Sequence, residues 1–215
     1  MTVALNRCVL RLLTGAVGCI GFSMMALAQG PRYSYVEAGW QNVELEIDGT
    51  FSDDVDGDGL FLGASFAVTD MLHIFASYGD SDLDLNVLGF DVNVGYSTLA
   101  AGAGMNFEIS ETVDFVGQLA YVDAEVDVSV PGFGSASEDE SGYGLGVGVR
   151  GMVNEDFELN AWVNYVDLGD DASDTAFSFG GVYNFTPVFA LQAVFSFGDD
   201  VNSIGVGARL SFGDD

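Results

Sequence analysis

Apolar side chains return at every second position in run after run from Val36 to Phe212, and no other feature restricts the chain so strongly. A period of two marks strands with one apolar face, whereas helices repeat at 3.6. The end of the chain is clearest: Ile204, Val206, Ala208, Leu210 and Phe212 share one face, with Ser203, Gly205, Gly207, Arg209 and Ser211 on the other. Phe189 to Phe197, Phe177 to Phe185, Phe157 to Tyr165, Tyr143 to Val149, Leu60 to Val68 and Leu72 to Tyr78 read the same way. Three segments change phase part-way. Val36, Ala38 and Trp40 give way to Val43, Leu45 and Ile47; Val92, Val94 and Tyr96 to Leu99, Ala101, Ala103, Met105 and Phe107; Phe115, Leu119 and Tyr121 to Ala124, Val126 and Val128. A slip of one residue is what a β-bulge produces, so bulges are expected there. Ten strands result, or eight if two weak ones merge.

The connections between them alternate in character. Thr69-Asp70, Glu108 to Thr112, Asn154-Glu155-Asp156 and Thr186-Pro187 are short. Gly49 to Asp58, Ser81 to Gly89, Pro131 to Gly142, Gly169 to Asp174 and Gly198 to Asn202 are acidic and mostly longer. A soluble sandwich has no reason to put every long acidic loop at one end. An up-and-down antiparallel β-barrel in an outer membrane does, with tight periplasmic turns and longer outer loops. Closure also removes the sheet edges that lipid does not tolerate.

Aromatic residues fall in two sets. Phe66, Phe107, Phe157, Phe185, Phe189 and Phe212 sit beside the short turns; Trp40, Tyr78, Tyr96, Tyr121, Tyr143, Tyr165, Phe177 and Phe197 lie near the acidic segments. On several strands the sets are eight residues apart, roughly 20 Å once tilt is allowed, against an apolar band of about 25 Å.

The first 28 residues read as an export signal. Arg7 and Arg11 precede an apolar run from Leu12 to Leu27, and Ala26-Leu27-Ala28 is a small-residue cleavage site before Gln29. A transmembrane anchor fits less well, because Gly15, Gly18, Gly21 and Ser23 dilute the run. A lipoprotein reading at Cys19 is weakened by the greasy sequence that follows it. Residues 29–215 then form a single domain. Cys8 and Cys19 leave with the signal, which removes disulfides and thiolate chemistry from the mature chain. What remains sets 33 carboxylates against Arg32, Arg150 and Arg209, a formal charge of −30, with no lysine. Nucleic acid is thereby excluded as a partner, since nothing would neutralise phosphates.

With its signal, its alternating strands and a last strand from Ile204 ending on Phe212, the chain resembles the small outer-membrane β-barrel proteins of Gram-negative bacteria, of the outer-membrane protein A/X and opacity-protein type. The resemblance covers roughly residues 31–213. It implies a location in the outer membrane, contact with its lipid and lipopolysaccharide, and insertion by the barrel-assembly machinery, which reads such a terminal strand. Gly213-Asp214-Asp215 follow the Phe and depart from that signal. The group shares an architecture more than an activity.

Chemistry is sparse. Ten strands also suggest the omptin-type outer-membrane proteases, whose acid/His chemistry needs a histidine at the outer rim. The sole histidine, His73, follows a short turn and so belongs at the periplasmic end, with no nucleophile to serve. An enzyme is not expected. Arg150 and Arg209 fall on inward faces, where an unpaired charge is costly; Glu37, Glu158, Asp91 and Asp123 are candidate partners. Either they form a salt-bridged plug or they charge the constriction of a narrow, cation-biased pore. Asp54, Asp56 and Asp58 with Gly59 match the first half of a calcium loop, but position twelve is Ser65 rather than Glu. Weak Ca2+ or Mg2+ binding spread over the acidic segments is the milder reading, with cations bridging to lipopolysaccharide. No other cofactor is expected. The expectation is a monomeric, non-enzymatic barrel with a side-chain-filled lumen and a structural or surface role; a small cation-biased porin-like channel is the alternative.

Overall fold

Ten strands follow one another with no helix among the described residues, and each pairs antiparallel with the next. They are β1 (Tyr35–Leu45), β2 (Val55–Thr69), β3 (Leu72–Val87), β4 (Phe90–Ser110), β5 (Val113–Val130), β6 (Gly134–Met152), β7 (Phe157–Asp167), β8 (Ser173–Asn184), β9 (Phe189–Phe197) and β10 (Val201–Ser211). β10 pairs back onto β1, with Tyr35 opposite Ser211 and Leu45 opposite Val201, so the sheet closes. The computed structural model describes residues 33–45, 55–87, 90–130, 132, 134–169, 173–198 and 201–212. The segment read as an export signal and Arg32 lie outside them, as do Asp54 and the last three residues.

The short turns share one chemistry. Thr69 Oγ1 accepts the N–H groups of Met71 and Leu72, Asn154 Oδ1 those of Asp156 and Phe157, and Thr186 Oγ1 those of Val188 and Phe189. A short polar side chain thus takes up the amides that a tight reversal leaves without a ladder partner. The two register shifts of the barrel, between Ala67 and Thr69 and between Glu108 and Ser110, also sit at these turns.

No bulge occurs where the apolar pattern changes phase. β1, β4 and β5 run through Asn42, Thr98 and Val122 with unbroken register to both neighbours. What changes is the surroundings. Lower on β5, Phe115, Leu119 and Tyr121 point outward and Asp114 and Gln118 inward. Higher up, Val122, Ala124 and Val126 are fully buried inside while Asp123, Glu125 and Asp127 line the outside. β4 and β1 invert in the same way, with Val94, Tyr96 and Val43 turned inward. The barrel therefore leaves the lipid and continues as a soluble-type barrel, with an apolar inside and a polar outside.

This inversion corrects two expectations. Tyr96 belongs to the interior rather than to the outer aromatic set. Much of the acidic sequence read as loop is strand: Val55–Asp58, Ser81–Val87 and Gly134–Gly142 all lie within β2, β3 and β6. The wall is uneven, since β3 to β6 have 16 to 21 residues and β7 to β10 have 9 to 12. Beyond Tyr121, β5 runs on from Val122 to Val130, about 30 Å along the strand at ~3.3 Å per residue.

Outside, the lower ring of Phe66, Phe107, Phe185, Phe189 and Phe212 and the upper ring of Trp40, Tyr78, Tyr121, Tyr143, Phe177 and Phe197 are exposed, as side chains facing lipid must be. Inside, the ring of Phe61 on β2 lies against Gly39 of β1 and Gly207 of β10. A Cβ at either glycine would run into it, so the closing seam accepts an aromatic because the facing strands lack side chains there.

Candidate functional site

The lower half of the lumen is built from alternate inward positions next to the short turns. Arg150 of β6 is buried and donates through Nε to Glu158 Oε1 at 2.8 Å and through Nη2 to Glu158 Oε2 at 3.2 Å, a forked pair with β7. Arg209 of β10 pairs with Glu37 of β1 and donates through Nη2 to Gln192 Oε1 of β9 at 3.0 Å; Gln192 Nε2 donates back to Glu37 Oε2 at 3.1 Å. Both pairs join neighbouring strands, and the second spans the closing seam. Of the other candidate partners, Asp123 points outward and accepts from the Tyr121 hydroxyl, and the side chain of Asp91 lies outside the described residues. The outward turn of Asp123 follows from the inversion on β5.

Two tyrosines complete this layer. The ring of Tyr35 lies 3.9 Å under the Arg209 guanidinium, and that of Tyr33, just ahead of β1, 5.0 Å from Arg150. Tyr33 enters the lumen from its lower end, stacks on His73 with ring centroids 4.6 Å apart, and donates its hydroxyl to Asp114 Oδ2 at 3.1 Å. Burial pushes the Tyr33 phenol above its ordinary range, against the pull of Arg150. His73 is buried, with Gln118 Nε2 at 3.3 Å from its Nε2. The side chain is wedged between Tyr33 and the bare backbone of Gly104, where any Cβ would strike the imidazole ring. This environment holds His73 by packing.

Above the charged layer the lumen is mainly apolar, with Gln41 donating to Ser81 and Asp174 buried opposite Val166. Val43, Leu83, Val94, Val122, Ala124, Val126, Val166, Leu168 and Val201 form one buried cluster that extends down to Tyr35 and Trp162. A polar lumen throughout its height is thus not what the chain builds.

The third part of the site is the outer wall. Tyr78, Tyr121 and Tyr165 each donate to the carboxylate two residues on, at Asp80, Asp123 and Asp167, over 3.2, 3.2 and 3.3 Å. Tyr143 reaches the same Asp167 across the strand pair at 3.0 Å. This Tyr-x-Asp repeat joins the top of the aromatic ring to the first carboxylates above it. The signal stood in the sequence three times, but only the register brings the copies to one level. Above it, Asp58 faces Asp82, Glu44 faces Asp56, and Glu125 faces Asp139 directly across strand pairs. Asp56 and Asp58 stand on the outside of β2, and Ser65 lies inward, far down the same strand. No group of three metal-ligating side chains occurs among the described residues.

A closed barrel with aromatic rings, short lower turns and an inverted upper wall decides the class. The outer membrane protein beta-barrel domain family matches residues 14–185. The chain belongs to this family, and the outer membrane is its location. Among curated proteins none matches. Solved structures that resemble it include the transport unit of the autotransporter AIDA-I from Escherichia coli, 10% identical, covering 95% of this chain and 97% of that one, with a TM-score of 0.55. The translocator domain of the autotransporter NalP from Neisseria meningitidis is 13% identical, covering 98% and 96%, with a TM-score of 0.50. Ail, the attachment invasion locus protein of Yersinia pestis, is 18% identical, covering 84% and 99%, with a TM-score of 0.47. At these identities the likeness is one of fold alone.

Proposed function

We propose that this family member is a closed, non-enzymatic, monomeric surface barrel whose acidic outer wall meets the lipopolysaccharide headgroup layer through divalent cations. One observation carries the reading. Carboxylates stand in directly opposed pairs on the outward faces of β1, β2, β3, β5 and β6, just above the tyrosine ring, while Arg150 and Arg209 are buried inside. Like charges opposed across a strand pair weaken it, and phosphate-rich lipid beside them adds to the repulsion. Ca2+ or Mg2+ shared between a carboxylate and a phosphate relieves both. Asp56 and Asp58 belong to this wall with Glu44 and Asp82. The charge-paired lower lumen and the apolar upper lumen support a filled barrel over the cation-biased channel. A cleaved export signal over residues 1–28 and insertion by the barrel-assembly machinery, reading the β10 strand and Phe212, belong to the same proposal.

The test is lipopolysaccharide binding by the purified barrel with Ca2+ or Mg2+ present and after chelation. Chelation releases the lipid and lowers the thermal midpoint, and D58N/D82N weakens the metal dependence. Binding that survives chelation unchanged overturns the reading.

A further inference from the structure

Where the tall and short halves of the wall meet, two tyrosines share one carboxylate. Tyr143 of β6 and Tyr165 of β7 face outward as diagonal neighbours, and Tyr143 with Asp167 is the uppermost register pair of these strands. Tyr143 donates to Asp167 Oδ2 over 3.0 Å and Tyr165 to the same oxygen over 3.3 Å, while the Gly169 N–H donates to Oδ1 at 2.9 Å. The ring centroids are 6.4 Å apart, with 55° between the planes. Because both hydroxyls converge on one oxygen, the hydroxyl-bearing edges of the rings face each other at van der Waals range. Tyr143 is 45% exposed, and Tyr165 and Asp167 are partly exposed. Tyr121 stands directly opposite Tyr143 on β5, but its hydroxyl is turned to Asp123 of its own strand. Above this level β6 continues through Gly134–Gly142, whereas β7 has ended at Asp167.

We propose that Tyr143 and Tyr165 are an oxidative modification site, joined as a dityrosine that clasps β6 to β7 where their ladder ends. The pair supplies what the coupling requires. Each phenol gives one electron to the oxidant and its proton to a hydrogen-bonded acceptor. That acceptor is Asp167, already in contact with both hydroxyls, and water takes the protons from it. The two phenoxyl radicals then pair their electrons as one C–C bond between ring carbons ortho to the oxygens. The hydrogens on those carbons pass through water to the oxygens and restore both phenols. Two protons and two electrons are lost in all. The oxidant is hydrogen peroxide used by an extracellular haem peroxidase, one peroxide giving two waters for each link formed. A bond between residues 143 and 165 limits the unfolded chain, and it holds the two strands together at the end from which the ladder frays. This inference stands whether or not the outer wall binds cations.

The experiment treats the full barrel, folded in detergent micelles, with a haem peroxidase and hydrogen peroxide. Dityrosine fluorescence and the loss of two hydrogens from the mass of the single chain are expected. Peptide mapping after cleavage at Asp and Glu is expected to join Tyr143 to Tyr165. A link through Tyr121 in place of Tyr165, or no link within the chain, overturns the proposal. This first result needs no variant. Tyr165→Phe, which keeps the ring, removes the link, and Tyr121→Phe leaves its yield unchanged; equal loss in both overturns the pairing. Asp167→Asn keeps an acceptor oxygen but takes up no proton, so it slows the coupling several-fold at neutral pH; an unchanged rate overturns the role of Asp167. Linked protein unfolds in urea at a higher midpoint than unlinked protein, and equal midpoints overturn the clasp.

Discussion

Arg209 and Glu37 face each other across the seam where the last strand meets the first, with Gln192 as a third member and the Tyr35 ring beneath the guanidinium. Breaking such a pair from one side leaves a charge buried without a counter-charge. Arg209→Leu is therefore expected to cost about 3–5 kcal/mol, while the double variant E37L/R209L should recover most of that loss. Urea unfolding, followed by the gel mobility of unheated samples, measures both; equal loss in the single and double variants would refute the coupling. Alternation in the sequence is enough to turn Arg209 and Arg150 inward. It does not choose their partners, because that depends on register, and register rests on turns such as Thr69-Asp70 and Asn154-Glu155-Asp156 whose offsets are settled only on folding. Tyr33 and Asp114 were illegible for a further reason. Tyr33 lies outside any strand, and nothing local says that it packs on His73 and Arg150 inside the barrel.

At the scale of single strands, β5 shows why the ten elements were readable and their upper ends were not. A bulge and a change of surroundings shift the apolar set by the same one residue, so Tyr121-Val122-Asp123-Ala124 has two readings in sequence. Structure decides for the second, since β4, β5 and β6 keep register from Asn93 to Glu108 and along the whole β5–β6 pair. The physical cause is that above the tyrosine ring water lies outside the barrel and buried apolar side chains pack inside it. A substitution pair tests this directly. Val126→Asp places a carboxylate in the buried cluster and is expected to destabilise the barrel by about 2–4 kcal/mol, whereas Asp127→Ala, one residue on and facing out, stays within about 0.5 kcal/mol. If β5 were bulged so that Val126 faced outward, the order of the two effects would reverse. The Tyr-x-Asp repeat belongs at this scale too. Tyr121→Phe removes one hydrogen bond at the rim and leaves the ring, so a loss of about 0.5–1 kcal/mol is expected in detergent, read from the same unfolding curves.

For the whole molecule, the charge and the hydropathy of the chain settle in different places: apolar side chains face lipid below the tyrosine ring and the lumen above it. Carboxylates take the complementary surfaces, sparsely inside and densely on the outer wall. On the proposed filled-barrel reading the lumen is closed twice, by different chemistry at different heights. Charge pairs, Tyr33 and Tyr35 fill the lower part; the cluster around Val94, Val122, Val126 and Val201 fills the upper part. Two closures in series have a distinctive signature in planar bilayers. Unaltered protein is expected to show no stepwise conductance. Removing the lower closure alone, with R150A/E158A or Tyr33→Ala, should still show none, because the apolar core above excludes ions whatever happens below. Only variants that also cut into that core, such as V94G/V126G added to R150A/E158A, should conduct, and the outer carboxylates would then favour cations. Cation-selective steps from the unaltered barrel would contradict the double closure and make the channel reading the correct one. Steps appearing with the lower variants alone would show instead that the upper cluster does not seal.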